Sequence, residues 1–152
     1  MTIHWTYLNK CAATVSALMD YNSMKHILLS YSDDTVEVRE HLSSIYAPTL
    51  SWSAPGSVNP HATDGRIARS LDLVDAVEDR YQQALEYMTW FQPAWDALSD
   101  DEQLILSEFY MNDTNRTDAV MNIGERLHLE RAQVYRRKDK AVSRLSLLLY
   151  GK

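Results

Sequence analysis

Arg131, Gln133, Tyr135, Arg136, Arg137, Lys140 and Arg144 crowd into one stretch near the C-terminal end of the chain. Arginine can donate two parallel hydrogen bonds to a guanine edge or to a phosphate. Glutamine can pair with an adenine edge, and lysine neutralises phosphate as a point charge. Such side chains can reach base edges or phosphates if one helix carries them into a major groove. The chemistry on offer is recognition of double-stranded DNA, and it makes or breaks no covalent bond.

Those residues need elements to position them. The stretch TDAVMNIGERLHLERAQVYRRKDKAVSRLSLLL, residues 117–149, reads as a short helix, a tight turn and a longer helix. Thr117 is a credible N-cap for the first helix. Ile123, Leu127, Leu129 and Val134 supply the apolar contacts between the two, and Gly124 sits where the helices approach too closely for a bulky side chain. The second helix is expected to begin at Glu130 or Arg131 and to run to about Leu149. Its stripe of Ala141, Val142, Leu145, Leu148 and Leu149 ties it to the body. Charge supports a separate role for this end. From Arg116 to Lys152 nine Lys/Arg stand against four Asp/Glu, a surplus of five. The other 115 residues hold six basic against seventeen acidic side chains, a net of −11. An acidic body with one basic end is the charge pattern of a DNA-binding tail on a body that avoids DNA.

The segment LSDDEQLILSEFY, then IGERLHLERAQVYRRKDKAVSRL and a terminal LLLYG resembles phage and prophage late transcriptional regulators of the ArpU and RinA type. That group is similar to the fourth, promoter-reading region of bacterial primary sigma factors. Leu98 and Glu102, Tyr110, Val134-Tyr135-Arg136, and Ala141 with Leu145 carry the likeness, over about the last third of the chain. The resemblance implies an all-α fold ending in a helix-turn-helix of sigma region-four type. It also implies Arg131, Gln133 and Arg136 at base edges and RNA polymerase as a partner. Arg137, Lys140 and Arg144 are expected on phosphates. Three positions depart from the family pattern. His128 stands where the turn usually has Gly, Gly124 where the first helix usually has Ala, and Glu130 where a Ser or Thr N-cap is usual.

Length and composition set the remaining bounds. A chain of 152 residues with 45% hydrophobic and 24% charged residues suits one domain, or a small domain with a helical appendage. Only four Gly and four Pro interrupt it, which favours long helices. No apolar run approaches the length of a membrane span and no secretory leader is evident, so a cytoplasmic protein is expected. The lone Cys11 cannot form an internal disulfide and is expected as a small core residue. The five His are scattered, without zinc spacing. No Gly-rich phosphate loop and no nucleophile elbow occur. The chain is therefore expected not to be an enzyme and to need no cofactor or metal.

Taken in order, apolar residues at Trp5, Leu8, Ala12, Val15, Met19, Ile27, Leu28 and Tyr31 predict a first helix. Ser32-Asp33-Asp34 predicts a turn, and Val38, Leu42, Ile45 and Tyr46 a second helix antiparallel to the first. Residues 47–63 hold three Pro and no charged side chain, so they are expected as a loop and a boundary. This divides the chain into an N-terminal helical hairpin with its loop, 1–63, and a long helix plus the DNA-binding domain, 64–152. Asp64-Gly65 is expected to open that long helix. Its near-heptad stripe is Ile67, Leu71, Val74, Tyr81, Leu85, Met88 and Phe91, interrupted by Glu78, and Gln92-Pro93 is expected to end or kink it. An acidic face of Asp72, Asp75, Glu78, Asp79 and Glu86 is read as solvated, since no His or Cys joins it at ligand spacing. Ser99 and Glu102 form a capping box for the next helix, whose inner face is Ile105, Leu106, Phe109 and Tyr110.

The sequence supports two functions of different class. One is a sequence-specific DNA-binding regulator of transcription. The other is a phage structural or packaging adaptor resembling a small terminase subunit, assembled through helical pairs; its mass in solution would mark it as a large closed oligomer. The acidic part carries Trp5, Tyr7, Tyr21, Tyr31, Tyr46 and Trp52. These are expected as a protein-contact surface, towards a second copy or a larger partner.

Overall fold

The computed structural model describes residues 9–46 and 60–151. Five α-helices run in order: α1 Lys10–Tyr46, α2 Pro60–Asp96, α3 Asp100–Leu106, α4 Arg116–Leu127 and α5 Arg131–Tyr150. A π-helical turn, Ser107–Met111, extends α3. The fold is all-α, and among the described residues no strand occurs and no helix is long and apolar enough to cross a membrane. Trp5, Tyr7, Trp52, the side chain of Tyr46 and the loop core 47–59 lie outside the described residues.

The N-terminal hairpin expected within 1–63 is not formed. Its proposed turn, Ser32-Asp33-Asp34, lies inside the continuous helix α1. Ser and Asp cost a helix interior only a few tenths of a kcal/mol each, and no Gly or Pro enforces a break here. Neighbouring hydroxyls also bond along the helix: Ser30 Oγ donates forward to Asp34 Oδ2 at 3.3 Å, and Thr35 Oγ1 back to the Ser32 carbonyl at 2.8 Å. Nor do the compact units divide near Asp64. One comprises Met1–Lys25 with Glu86–Lys152, and the other is His26–Leu85, so each long helix contributes to both.

In the His26–Leu85 unit α2 offers Ile67, Ser70, Val74, Val77, Tyr81 and Ala84, in alternating steps of three and four. Ser70 and Ala84 are fully buried. Tyr31 of α1 stacks on Tyr81 with ring centroids 3.9 Å apart. Leu71 and Leu85, expected on this stripe, lie on the next ridge and are exposed. Glu78 does not interrupt the seam; it stands beside it and accepts the Tyr31 hydroxyl at 2.7 Å. Helix α2 begins at Pro60, ahead of the expected Asp64, because proline fits the first helical position without wasting an N–H. It continues through Pro93 to Asp96 rather than ending there.

The other unit holds the main core. Leu18, Phe91, Trp95, Leu98, Leu106, Ala141 and Leu145 form one buried cluster. Phe91 is fully buried among Tyr21, Tyr87 and Trp95, with centroids 5.6, 5.2 and 6.0 Å away. The Tyr87 hydroxyl donates to the Ala17 carbonyl at 2.5 Å, and burial pushes its pKa up. Tyr21 and Tyr31, expected as free contact surface, are thus partnered within the chain. Cys11 is exposed, against the expectation of a core residue, since the buried face of α1 runs through Thr14, Ala17 and Leu18. Leu148 is exposed too, because the stripe of α5 follows Val134, Ala141, Val142 and Leu145. Replacing Phe91 with Ala deletes a ring at the centre of four aromatics and should lower unfolding stability by about 3–5 kcal/mol in urea denaturation.

Candidate nucleic-acid interface

Helices α4 and α5 and the three-residue turn between them form a helix-turn-helix. Its own small core is Ile105, Val120, Ile123 and Val134, flanked by half-buried Phe109, Leu127, Leu129 and Tyr135. Asn115, rather than the expected Thr117, caps α4: its Oδ1 accepts the Asp118 N–H at 2.9 Å. The turn closes on one carbonyl. Gly124 O accepts the N–H groups of both His128 and Leu129, the latter at 3.0 Å. A Cβ on Gly124 would meet the Leu129 carbonyl oxygen at 3.0 Å, so the close approach read from the sequence is with the turn's own backbone. His128 adopts the left-handed conformation, φ 53° and ψ 49°. That region is costly for a residue with a Cβ and explains why a Gly would suit the position.

Helix α5 starts at Arg131 with Glu130 as N-cap, where the sequence placed it. Glu130 is too long a side chain for the usual cap. A capping box forms here nonetheless, with Gln133 Oε1 accepting the Glu130 N–H at 3.2 Å. Gln133 therefore spends its carbonyl on the helix start and retains only its amide N–H donors for a base edge.

The seven predicted site residues fall on different sides of α5. With one turn every 3.6 residues and Val134, Ala141 and Leu145 buried, Arg136 and Lys140 stand one turn apart on the outward face, next to Gln133. All three are exposed. Arg131 and Tyr135 lie on the flank towards α4, the guanidinium 6.0 Å from the ring centre. Together with Thr117, Val120, Met121 and Leu129 they line an open hollow of about 480 Å³. Arg137 and Arg144 lie on the opposite flank, against α3. Arg144 Nη1 donates to Glu102 Oε2 at 2.8 Å and its Nη2 to the Ala97 carbonyl at 3.3 Å. Arg137 Nη1 is 3.5 Å from Asp101 Oδ2. Two of the three side chains expected on phosphate thus carry an internal carboxylate partner. The sequence reading missed Asp101 and Glu102 in this capacity. Lys138, counted in the basic run, is turned inward with a side chain only 20% exposed, over the rings of Phe109 and Tyr135. Its spacing from Val134 and Ala141 on the buried stripe was the available signal.

Glu102 joins this flank to the cap of α3. Ser99 Oγ accepts the Glu102 N–H at 3.3 Å and the Glu102 carboxylate accepts the Ser99 N–H at 2.9 Å, the capping box read from the sequence. Partial burial raises the Glu102 pKa, but the Ser99 N–H and the Arg144 guanidinium outweigh it and hold it below the ordinary 4.5. A carboxyl with a lowered folded pKa contributes stability that is complete above its unfolded value and lost as pH falls through the folded one. Replacing Glu102 with Gln should therefore flatten the loss of stability on acidification between about pH 5 and 3, read by denaturant melts across that range. Replacing His128 with Gly should raise unfolding stability by about 0.5–1 kcal/mol, since relief of the left-handed strain exceeds the added chain entropy. Comparison with protein-family models, with curated proteins and with solved structures finds no match to this chain.

Proposed function

We propose that this protein is a sequence-specific DNA-binding regulator of transcription, of the phage or prophage late-gene type, which reads promoter DNA with α5. The observation that carries the reading is the outward face of α5. Arg136 and Lys140 stand exposed there on a helix whose other side is fixed to the body by fully buried Val134, Ala141 and Leu145. A side chain on a rigid helix reaches a base edge at little cost in positioning, and the second helix of a helix-turn-helix is the one that enters the major groove. The basic surplus from Arg116 to Lys152 draws a duplex to this end, while the net −11 of the remainder repels it. The acidic part is accordingly assigned to protein contacts, with RNA polymerase or a second copy as the partner.

In this arrangement Arg136, with Arg131 at the helix start, reads bases, and Lys140 contacts phosphate. Binding-site selection from a random duplex library, followed by anisotropy titration at two salt concentrations, tests the assignment. Arg136→Ala should lose about 1–3 kcal/mol on the selected site and relax one base position. Lys140→Ala should weaken selected and unrelated duplexes about equally and reduce the salt slope by about 1. No duplex binding by the wild-type chain, or wild-type behaviour of both variants, would overturn the reading.

A further inference from the structure

We infer that Asp101 acts as an internal stand-in for a DNA phosphate, occupying Arg137 in the absence of DNA and so lowering affinity for duplexes of arbitrary sequence. The inference rests on the DNA-binding reading above and concerns which residue sets its specificity.

The two acid–arginine pairs on the α3 flank are built differently. Glu102 is a structural group: its side chain is 17% exposed, its Arg144 partner lies at 2.8 Å, and its carboxylate also accepts the Ser99 N–H. Asp101 takes no part in that cap. Its side chain is 57% exposed and lies 3.5 Å from an Arg137 guanidinium that is itself half exposed. A pair this open and this long adds little to the fold, because water and salt screen it. It is correspondingly easy to exchange. A phosphate oxygen offers Arg137 the same acceptor chemistry as a carboxylate oxygen.

Position makes the exchange relevant to DNA. When the outward face of a helix lies in the major groove, the phosphate backbones pass along its flanks. Arg137 lines one small hollow with Ser99, Asp101 and Glu102, and Lys140 borders it from the near edge of the outward face, so phosphates on that side meet two cations and two carboxylates. To bind there, a phosphate must displace Asp101 from Arg137 and then tolerate the released carboxylate. Both effects weaken contacts that carry no sequence information. Base reading by Arg136 is untouched, since it points away from α3. Asp101 thereby raises the ratio of specific to non-specific binding.

A double-mutant cycle separates this role from a simple change in net charge. Asp101→Asn, Arg137→Ala and the double variant, all in the full chain, are titrated against the selected site and an unrelated duplex at several salt concentrations. Asp101→Asn should tighten the unrelated duplex about threefold and steepen the salt slope by about 1, with a smaller relative gain on the selected site. Most of that gain should vanish in the Arg137→Ala background. Equal tightening with and without Arg137 would reduce Asp101 to a bulk charge and overturn the inference. So would no tightening at all in a chain whose wild type binds duplex. Absence of binding in the wild type would instead remove the DNA-binding reading itself, and this inference with it.

Discussion

The burial of one stripe of α5 governs everything on its opposite side. Val134, Ala141 and Leu145 are wholly removed from water against Ile105, Ile123, Leu106 and their neighbours. Burying Val134 and Leu145 contributes on the order of 1.5–3 kcal/mol each and the Ala141 methyl about 0.8 kcal/mol, so the helix is not free to rotate about its axis. Once that rotation is set, the 3.6-residue period decides which side chains face outward and which face α3 or α4. The sorting of seven candidate residues into an outward set, an α4 flank and an α3 flank follows from those few methyl groups.

Local signals made the C-terminal half legible. The start of α5 and the Ser99–Glu102 box each depend on residues within a few positions of one another and appear where the sequence places them, while the approach at Gly124 is equally local but to the turn's backbone rather than between the helices. The long helices were harder because their limits depend on partners distant in the chain. Ser32-Asp33-Asp34 is a weak break signal inside one continuous helix, and Tyr31 just ahead of it stacks on Tyr81, a partner fifty residues later. The α2 stripe was misread at Leu71 and Leu85 for a related reason. Leucine attracts assignment to a core, yet the fully buried positions of this seam are the small Ser70 and Ala84.

Charge was legible as a total and not as a set of pairs. Counting Arg137, Lys138 and Arg144 as free cations overstated the positive surface, since two face carboxylates of α3 and one lies over aromatic rings. The carboxylate partners of Arg137 and Arg144 are some forty residues earlier in the chain, beyond any local pattern, whereas Lys138 pairs with the adjacent Asp139 at 2.7 Å. A basic run on an amphipathic helix is thus divided by its own periodicity among water, neighbouring acids and the core.

The π-helical turn at Ser107–Met111 has a consequence for how this part of the chain can vary in length. A π turn holds about one residue more than an α turn, and so takes up an extra residue while the chain on either side keeps its phase. Here Phe109 meets the small core of the helix-turn-helix, whereas Tyr110 and Met111 pack on the main core. One continuous segment therefore serves two cores from its different sides. Deleting a single residue there would turn the Asn112 N–H bond to the Ser107 carbonyl into an ordinary α-helical one, leaving the chain on either side in nearly the same register. The joint is thus the place where this part of the chain can take up a one-residue change in count.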